Sequence, residues 1–200
     1  MDPAHNHVDW SQRYRDEQTP WDRGRAHAEL QARIDSGQLA APHAGATCFV
    51  PGCGRGHDAL ALAKAGWKVT AMDIVDELES TLNAALRPHA GEFLVGDALR
   101  PNSGPYDMVW EHTFLCAISP EDRVHWSRMV SDCLKSGGRL AVLIFPANKP
   151  PSEGGPPWGY NAQVLGEWLG DGFELIETAA VDPSLEPRNW DQAFAIFQKA

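Results

Sequence analysis

Three glycines, Gly52, Gly54 and Gly56, stand in the run Pro51-Gly52-Cys53-Gly54-Arg55-Gly56-His57-Asp58, directly after an apolar stretch. Residues without a Cβ let the chain turn tightly and let backbone N–H groups approach a ligand. An acid, Asp73, ends the next apolar stretch, and a second, Asp97, ends the one after that. A glycine turn with a carboxylate one strand over can grip a nucleoside, because the carboxylate accepts two ribose hydroxyls. Asp97 is then placed beside an adenine amino group, with Ala98 against the ring. A dinucleotide-binding loop would carry its third glycine at position 57, where His57 stands. A third glycine at 56 suits a ligand without a pyrophosphate, whose amino-acid tail lies in the loop. Hydride transfer with NAD is the rival chemistry.

The elements that must position these residues follow from the hydrophobic pattern. Strands are expected at 47–50, 67–72, 92–95, 106–111, 139–145, 174–180 and 193–198. Helices are expected at 8–17, 26–34, 57–65, 77–86, 122–134 and 161–169. Residues 37–45 read as a connector, and the Pro/Gly-rich stretch 146–157 as a loop after the fifth strand. Strands alternating with helices predict an α/β fold, a mostly parallel seven-stranded sheet with helices on both faces. A chain of 200 residues fits one such domain, 1–200.

Seventeen basic against twenty-seven acidic residues give a formal net charge of −10, a field that disfavours nucleic acid and anionic membrane surfaces as partners. The first eight residues show no secretory signal, and the most apolar run, 140–145, is too brief to span a bilayer. Cys48, Cys53, Cys116 and Cys133 match neither a CxxC pair nor a zinc set, which reads as reduced thiols in the cytoplasm. His27, His43, His57, His89 and His125 show no metal-binding spacing, and His5 and His7 are expected to have no function. No metal is expected. A monomer or weak dimer is the expected state.

Further motifs lie in order along the chain. They are Thr19-Pro20-Trp21-Asp22-Arg23-Gly24, then the glycine run through Asp58, then Thr113-Phe114-Leu115-Cys116-Ala117-Ile118-Ser119-Pro120. Arg123, Trp126, Leu134-Lys135-Ser136-Gly137-Gly138 and Gly154-Gly155-Pro156-Pro157 complete the set. From Trp10 to about Trp190 the chain resembles the thiopurine S-methyltransferase-like family, closest to its thiol and halide methyltransferase branch. The resemblance implies a class I Rossmann-like methyltransferase that uses S-adenosylmethionine, gives S-adenosylhomocysteine and needs no metal. It implies that an N-terminal helical segment, 1–40, closes over the cofactor through Trp10, Tyr14 and Trp21. Gly52, Asp73, Asp97, Ala98 and His112 would complete that pocket. Relatives carry Trp where Tyr14 stands, Asp-Tyr where Glu111-His112 stand, and often Tyr where Phe145 stands. Those tyrosines are discussed as orienting substrate or accepting a proton, so their replacement leaves the acceptor open.

Methyl transfer from a sulfonium asks the protein to hold the nucleophile in line, exclude water and keep the nucleophile ionised. The expected acceptor is a small soft nucleophile, a thiol, thiolate or hydrosulfide. Halide or thiocyanate, or an oxygen or nitrogen of a small aromatic metabolite, are the alternatives, and a sensor that binds the cofactor without turnover is the non-enzymatic one. Only a few per cent of a free thiol is ionised at neutral pH, and an imidazole can take the remaining proton. His112 is therefore a candidate base or orienting group, with a structural histidine as the plain alternative. Arg123 is a candidate for attracting an anionic acceptor, or else an ordinary ion pair with Glu121 or Asp122. Glu111 either turns inward or caps the strand edge, and Cys116 reads as a core residue. Trp158, Tyr160, Arg188 and Trp190 are expected at the acceptor rim.

Overall fold

The computed structural model describes residues 8–200, so His5 and His7 fall outside it. The chain runs α1 (Trp10–Arg15), α2 (Ala28–Asp35), β1 (Thr47–Pro51), α3 (His57–Lys64), β2 (Lys68–Asp73), α4 (Glu79–Leu86) and β3 (Glu92–Val95). It continues through β4 (Tyr106–His112), α5 (Arg123–Cys133), β5 (Leu134–Ile144), α6 (Ala162–Leu169), β6 (Phe173–Ala180) and β7 (Ala193–Lys199). The seven strands form one sheet in the order β3-β2-β1-β4-β5-β7-β6. β1 to β5 pair in parallel, and β7 enters antiparallel between β5 and β6.

The alternation of side chains along each strand builds two cores. Cys48 and Val50 of β1, Met108 and Trp110 of β4, and Ala141 and Leu143 of β5 face α2, α3 and α4, where Leu30, Leu62 and Leu82 meet them. Phe49, Val109, Leu140 and Val142 face the other way, onto Trp126, Met129 and Val130 of α5 and Leu165 of α6. Burial on both faces explains why these strands read as continuous apolar runs. Among the described residues, no helix is long and apolar enough to cross a membrane.

Four boundaries differ from expectation, each for a physical reason. The helix expected at 77–86 splits into a 3₁₀ turn, Asp76–Leu78, followed by α4. The fifth strand begins at Leu134, which pairs with Tyr106 before an irregularity in register; Gly137, at φ 74, lies in the stretch that carries it. The helix expected at 8–17 shrinks to the six residues of α1, capped by Asp9, whose side chain accepts from the Gln12 amide at 2.8 Å. Trp67 drops out of the second strand, and its indole donates to the Leu39 carbonyl at 2.8 Å.

Sheet order reverses at β1, since β2 follows on one side and β4 lies on the other. The crevice at such a reversal, outside the C-terminal strand ends, is where open α/β sheets collect ligands. The glycine loop leaves β1 there, and His112 ends β4 there.

Candidate active site

Gly52, Gly54 and Gly56 all adopt left-handed backbone, with φ of 55°, 53° and 71°. A Cβ at Gly54 would stand 2.6 Å from the Tyr14 hydroxyl, and one at Gly52 would stand 2.3 Å from the Phe114 ring. The loop is therefore glycine both for its backbone and for the contacts pressed against it. Asp73 holds it from below: Oδ2 accepts from the Gly54 amide at 2.8 Å and Oδ1 from the Val75 amide at 3.2 Å. Burial pushes the Asp73 carboxyl up, while the amides of Gly54 and Val75 pull it the other way. Each carboxylate oxygen keeps a further lone pair for a ligand hydroxyl. Asp97 is exposed, with Oδ1 accepting from the Leu99 amide at 2.9 Å, and Ala98 beside it is buried. Ile74, missed in the sequence, stands 53% exposed on the cleft wall directly after Asp73.

The segment ahead of the sheet closes this crevice from above. Trp10 and Trp21 meet edge to face with ring centres 5.5 Å apart, and Tyr14 meets Trp21 at 6.1 Å. The Arg55 guanidinium lies 5.3 Å from the Tyr14 ring centre. Asp22 pairs with Arg55 Nε at 2.9 Å and lies 3.2 Å from His57 Nε2, tying the Thr19–Gly24 motif to the glycine loop. Arg15 binds Glu77 at 2.6 Å on the far side. Burial drives the Tyr14 phenol well above its ordinary pKa, so it is a neutral hydroxyl. The cleft measures about 1770 Å³ and is lined by Trp10, Tyr14, Trp21, Gly52, Asp73, Asp97, Ala98 and His112, among others. That exceeds the roughly 300–1,000 Å³ of a single-ligand pocket, leaving room for a cofactor and a second molecule.

At the β4 end of the cleft the structure assembles a group that sequence spacing did not reveal. His112 Nδ1 lies 2.8 Å from Asp58 Oδ2, although the two are 54 residues apart. Asp58 also accepts from the Trp110 indole at 3.0 Å and from the His27 amide at 2.9 Å. Burial alone would raise the Asp58 carboxyl, but the His112 ring and these hydrogen bonds outweigh it and hold the pKa at about 2. His112 Nε2 is buried and has no hydrogen-bond partner among the described residues. The His27 ring packs edge-on against His112, with centres 5.2 Å apart. His27 Nδ1 accepts from the Glu29 amide, and Nε2 reaches Gln192 at 3.0 Å. Burial, with His112 adding to it, lowers the His27 pKa to about 4, so this ring is neutral.

Glu111 turns inward. It is fully buried, and Oε1 accepts from the Phe114 and Leu115 amides at 3.0 and 2.9 Å. Burial pushes its pKa up to about 7. Thr113, the next residue but one, is β-branched yet sits at φ 64, a strained conformation in the cleft wall. Cys116 is buried, as a core residue should be.

Two expected positions are corrected. Arg123 does not line the cleft: its guanidinium lies 4.5 Å from the Trp168 ring centre, and its buried Nε has no hydrogen-bond partner among the described residues. Neither Glu121 nor Asp122 pairs with it among the described contacts, because the start of α5 turns its side chain toward α6. Tyr160 likewise packs into the core against Trp168, at 5.9 Å, instead of the rim. Trp158, Arg188 and Trp190 do line the cleft. The Arg188 side chain is 5% exposed, pairs with Glu186 and lies 5.0 Å from the Phe145 ring centre.

The family model for thiopurine S-methyltransferase matches residues 5–199. The chain belongs to the thiopurine S-methyltransferase family. Thiocyanate methyltransferase 1 of Arabidopsis thaliana is 31% identical over 166 residues, covering 80% of this chain and 70% of that protein. A probable thiol methyltransferase 2 of the same plant is 29% identical over 197 residues, covering 96% and 84%. Among solved structures, 1,6-didemethyltoxoflavin-N1-methyltransferase of Burkholderia thailandensis, with bound 1,6-didemethyltoxoflavin and S-adenosylhomocysteine, matches with a TM-score of 0.76. That match has 17% identity and covers 96% of this chain and 86% of that one. A TehB-like methyltransferase of Corynebacterium glutamicum matches at TM-score 0.65 and 20% identity, covering 96% of each chain. The structural matches establish the fold, and the family establishes an S-adenosylmethionine-dependent methyltransferase. In this member of the thiopurine S-methyltransferase family the residues fit that cofactor. Side-chain-free turns border the cleft, a buried carboxylate stands one strand over, and aromatic rings roof them.

Proposed function

We propose that this chain methylates a small thiol or hydrosulfide, with His112 taking the proton of the acceptor. The chain acts as one domain, and the described stretch ahead of α2, with Trp10, Tyr14 and Trp21, forms its lid, while α2 packs into the core through Leu30. Gly52, Asp73, Asp97 and Ala98 hold the adenosine end, and Trp10, Tyr14 and Trp21 cover the site. S-adenosylmethionine supplies, when bound, a methyl group on a positively charged sulfur. An anionic nucleophile disperses that charge as it reacts, so a dry, aromatic-walled cleft favours the transfer.

The observation that carries the choice of acceptor is His112, which lines the cleft and whose buried Nε2 has no hydrogen-bond partner among the described residues. A base is useful only to an acceptor that arrives protonated, as a thiol does at neutral pH. Thiocyanate is the second reading, favoured by the similarity to a thiocyanate methyltransferase. It is always an anion and would leave that nitrogen without work. Arg123, packed on Trp168, has no part in either reading.

A screen with labelled cofactor against hydrosulfide, an alkyl thiol, thiophenol, a thiopurine, thiocyanate and iodide, each at two pH values, tests this assignment. The expected result is the highest kcat/KM at neutral pH for a thiol or hydrosulfide. Turnover of thiocyanate or iodide alone would overturn it.

A further inference from the structure

The geometry points to Asp58 as the positioning residue that sets the proton of His112 on Nδ1 and leaves the lone pair on Nε2, the buried nitrogen of a residue that lines the cleft. This inference rests on the proposed transfer to a thiol and adds a residue to it.

Asp58 lies in the first turn of α3, directly after the glycine loop, so the loop that borders the cofactor site also places this carboxylate. Its two oxygens receive three donors. Oδ1 takes the His27 amide, and Oδ2 takes both the Trp110 indole and His112 Nδ1. The indole and the amide are obligate donors, so the carboxylate cannot rotate away to serve another partner. An ionised carboxylate can only accept, so the proton between it and the imidazole belongs to Nδ1. The opposite nitrogen then carries a lone pair. That nitrogen is the buried, unpartnered one. The groups facing His112 are Asp58 from α3, His27 from the segment before α2, and Glu111 from β4 itself; Glu186 stands behind His27. His27 keeps its own hydrogen-bond partners and is held neutral, so it does not compete for the carboxylate.

The step this arrangement supports balances simply. The S–H bond of the acceptor breaks, its electron pair stays on sulfur, and the proton bonds to Nε2. The imidazolium so formed faces the Asp58 carboxylate until the proton passes to water. A carboxylate behind an imidazole stabilises that charge and fixes the ring, as in other acid–base pairs.

Two measurements test the assignment. The first is ¹⁵N NMR of the histidine rings in the wild-type protein, with His112→Gln used to assign the signal. The expected spectrum shows neutral His112 protonated on Nδ1; protonation on Nε2 overturns the inference, whatever the acceptor proves to be. This measurement needs no Asp58 variant, so it decides even if such a variant fails to fold. The second is the pH profile of Asp58→Asn with an alkyl thiol. Asparagine keeps one acceptor oxygen for three donors, and its amide group opposes either the indole or the His27 amide. With its NH2 group on the indole side it donates to Nδ1 and moves the ring proton to Nε2; with its oxygen there it keeps the proton on Nδ1 but no longer offers a charge to the imidazolium. The expected loss in kcat/KM at pH 7 is about tenfold or more, shrinking as the thiol ionises at higher pH. An equal loss at every pH marks Asp58 as structural and overturns its positioning role. If the wild-type protein turns over no thiol at all while Nδ1 carries the proton, the acceptor assignment fails and the geometry of the pair stands.

Discussion

Glu111 is held in the core by two backbone amides and the edge of Trp126, and burial raises its pKa to about 7 from an ordinary 4.5. Its neutral form is the one the fold prefers. A carboxyl raised in this way gives full stability below about 4.5, and that stability is lost as the pH rises from 4.5 to about 7. The loss is on the order of 3 kcal/mol. Glu111→Gln keeps an acceptor for the Phe114 and Leu115 amides and does not ionise. Its unfolding midpoint should therefore fall less than that of the wild type between pH 5 and pH 7.5, as read by thermal denaturation. Parallel curves would contradict the burial argument. At this scale the sequence is legible where neighbours in sequence act together. Gly52, Gly54 and Gly56 fall in one loop, and Asp73 ends the next strand. The Asp58–His112 pair was not legible, because its members lie on different elements and no spacing links them. Arg123 was misplaced for the opposite reason. Its position at a helix start was read correctly, but the direction of its side chain depends on Trp168, far along the chain.

The lid illustrates what an element needs beyond its own residues. A six-residue helix is too short to be stable alone in water. α1 persists because Trp10 and Tyr14 pack under Trp21 and Arg15 is tied to Glu77. Removing the central ring should loosen the roof while leaving the sheet intact. For Trp21→Ala we expect S-adenosylhomocysteine to bind about 3- to 30-fold more weakly by calorimetry, the range implied by an aromatic contact to a sulfur-bearing ligand and a dry wall. Unchanged affinity would place the lid outside the cofactor site. The elements themselves followed from alternation and helical spacing, down to β3 at 92–95. What failed were element ends set by pairing partners. Leu134 joins β5 because Tyr106 lies opposite, and the turn before α4 tightens into 3₁₀ geometry, neither of which its own stretch encodes.

Across the whole molecule, the reversal of strand order at β1 brings the glycine loop, Asp73 and His112 to one crevice. A ligand that bridges lid, loop and β4 binds only the folded chain, so it must stabilise it. At a hundred times its Kd, S-adenosylhomocysteine should add about 2.7 kcal/mol. For a chain of this length that raises Tm by roughly 5–10 °C. A Tm unmoved by saturating ligand would separate the crevice from the cofactor. The measurement that bears most directly on thiol methylation is the pH dependence of kcat/KM for an alkyl thiol in the wild-type protein and in His112→Phe. The base at Nε2 predicts a gap of about tenfold at pH 7 that narrows to within about threefold at pH 9, where the thiol ionises unaided. A gap of equal width at both pH values would contradict it.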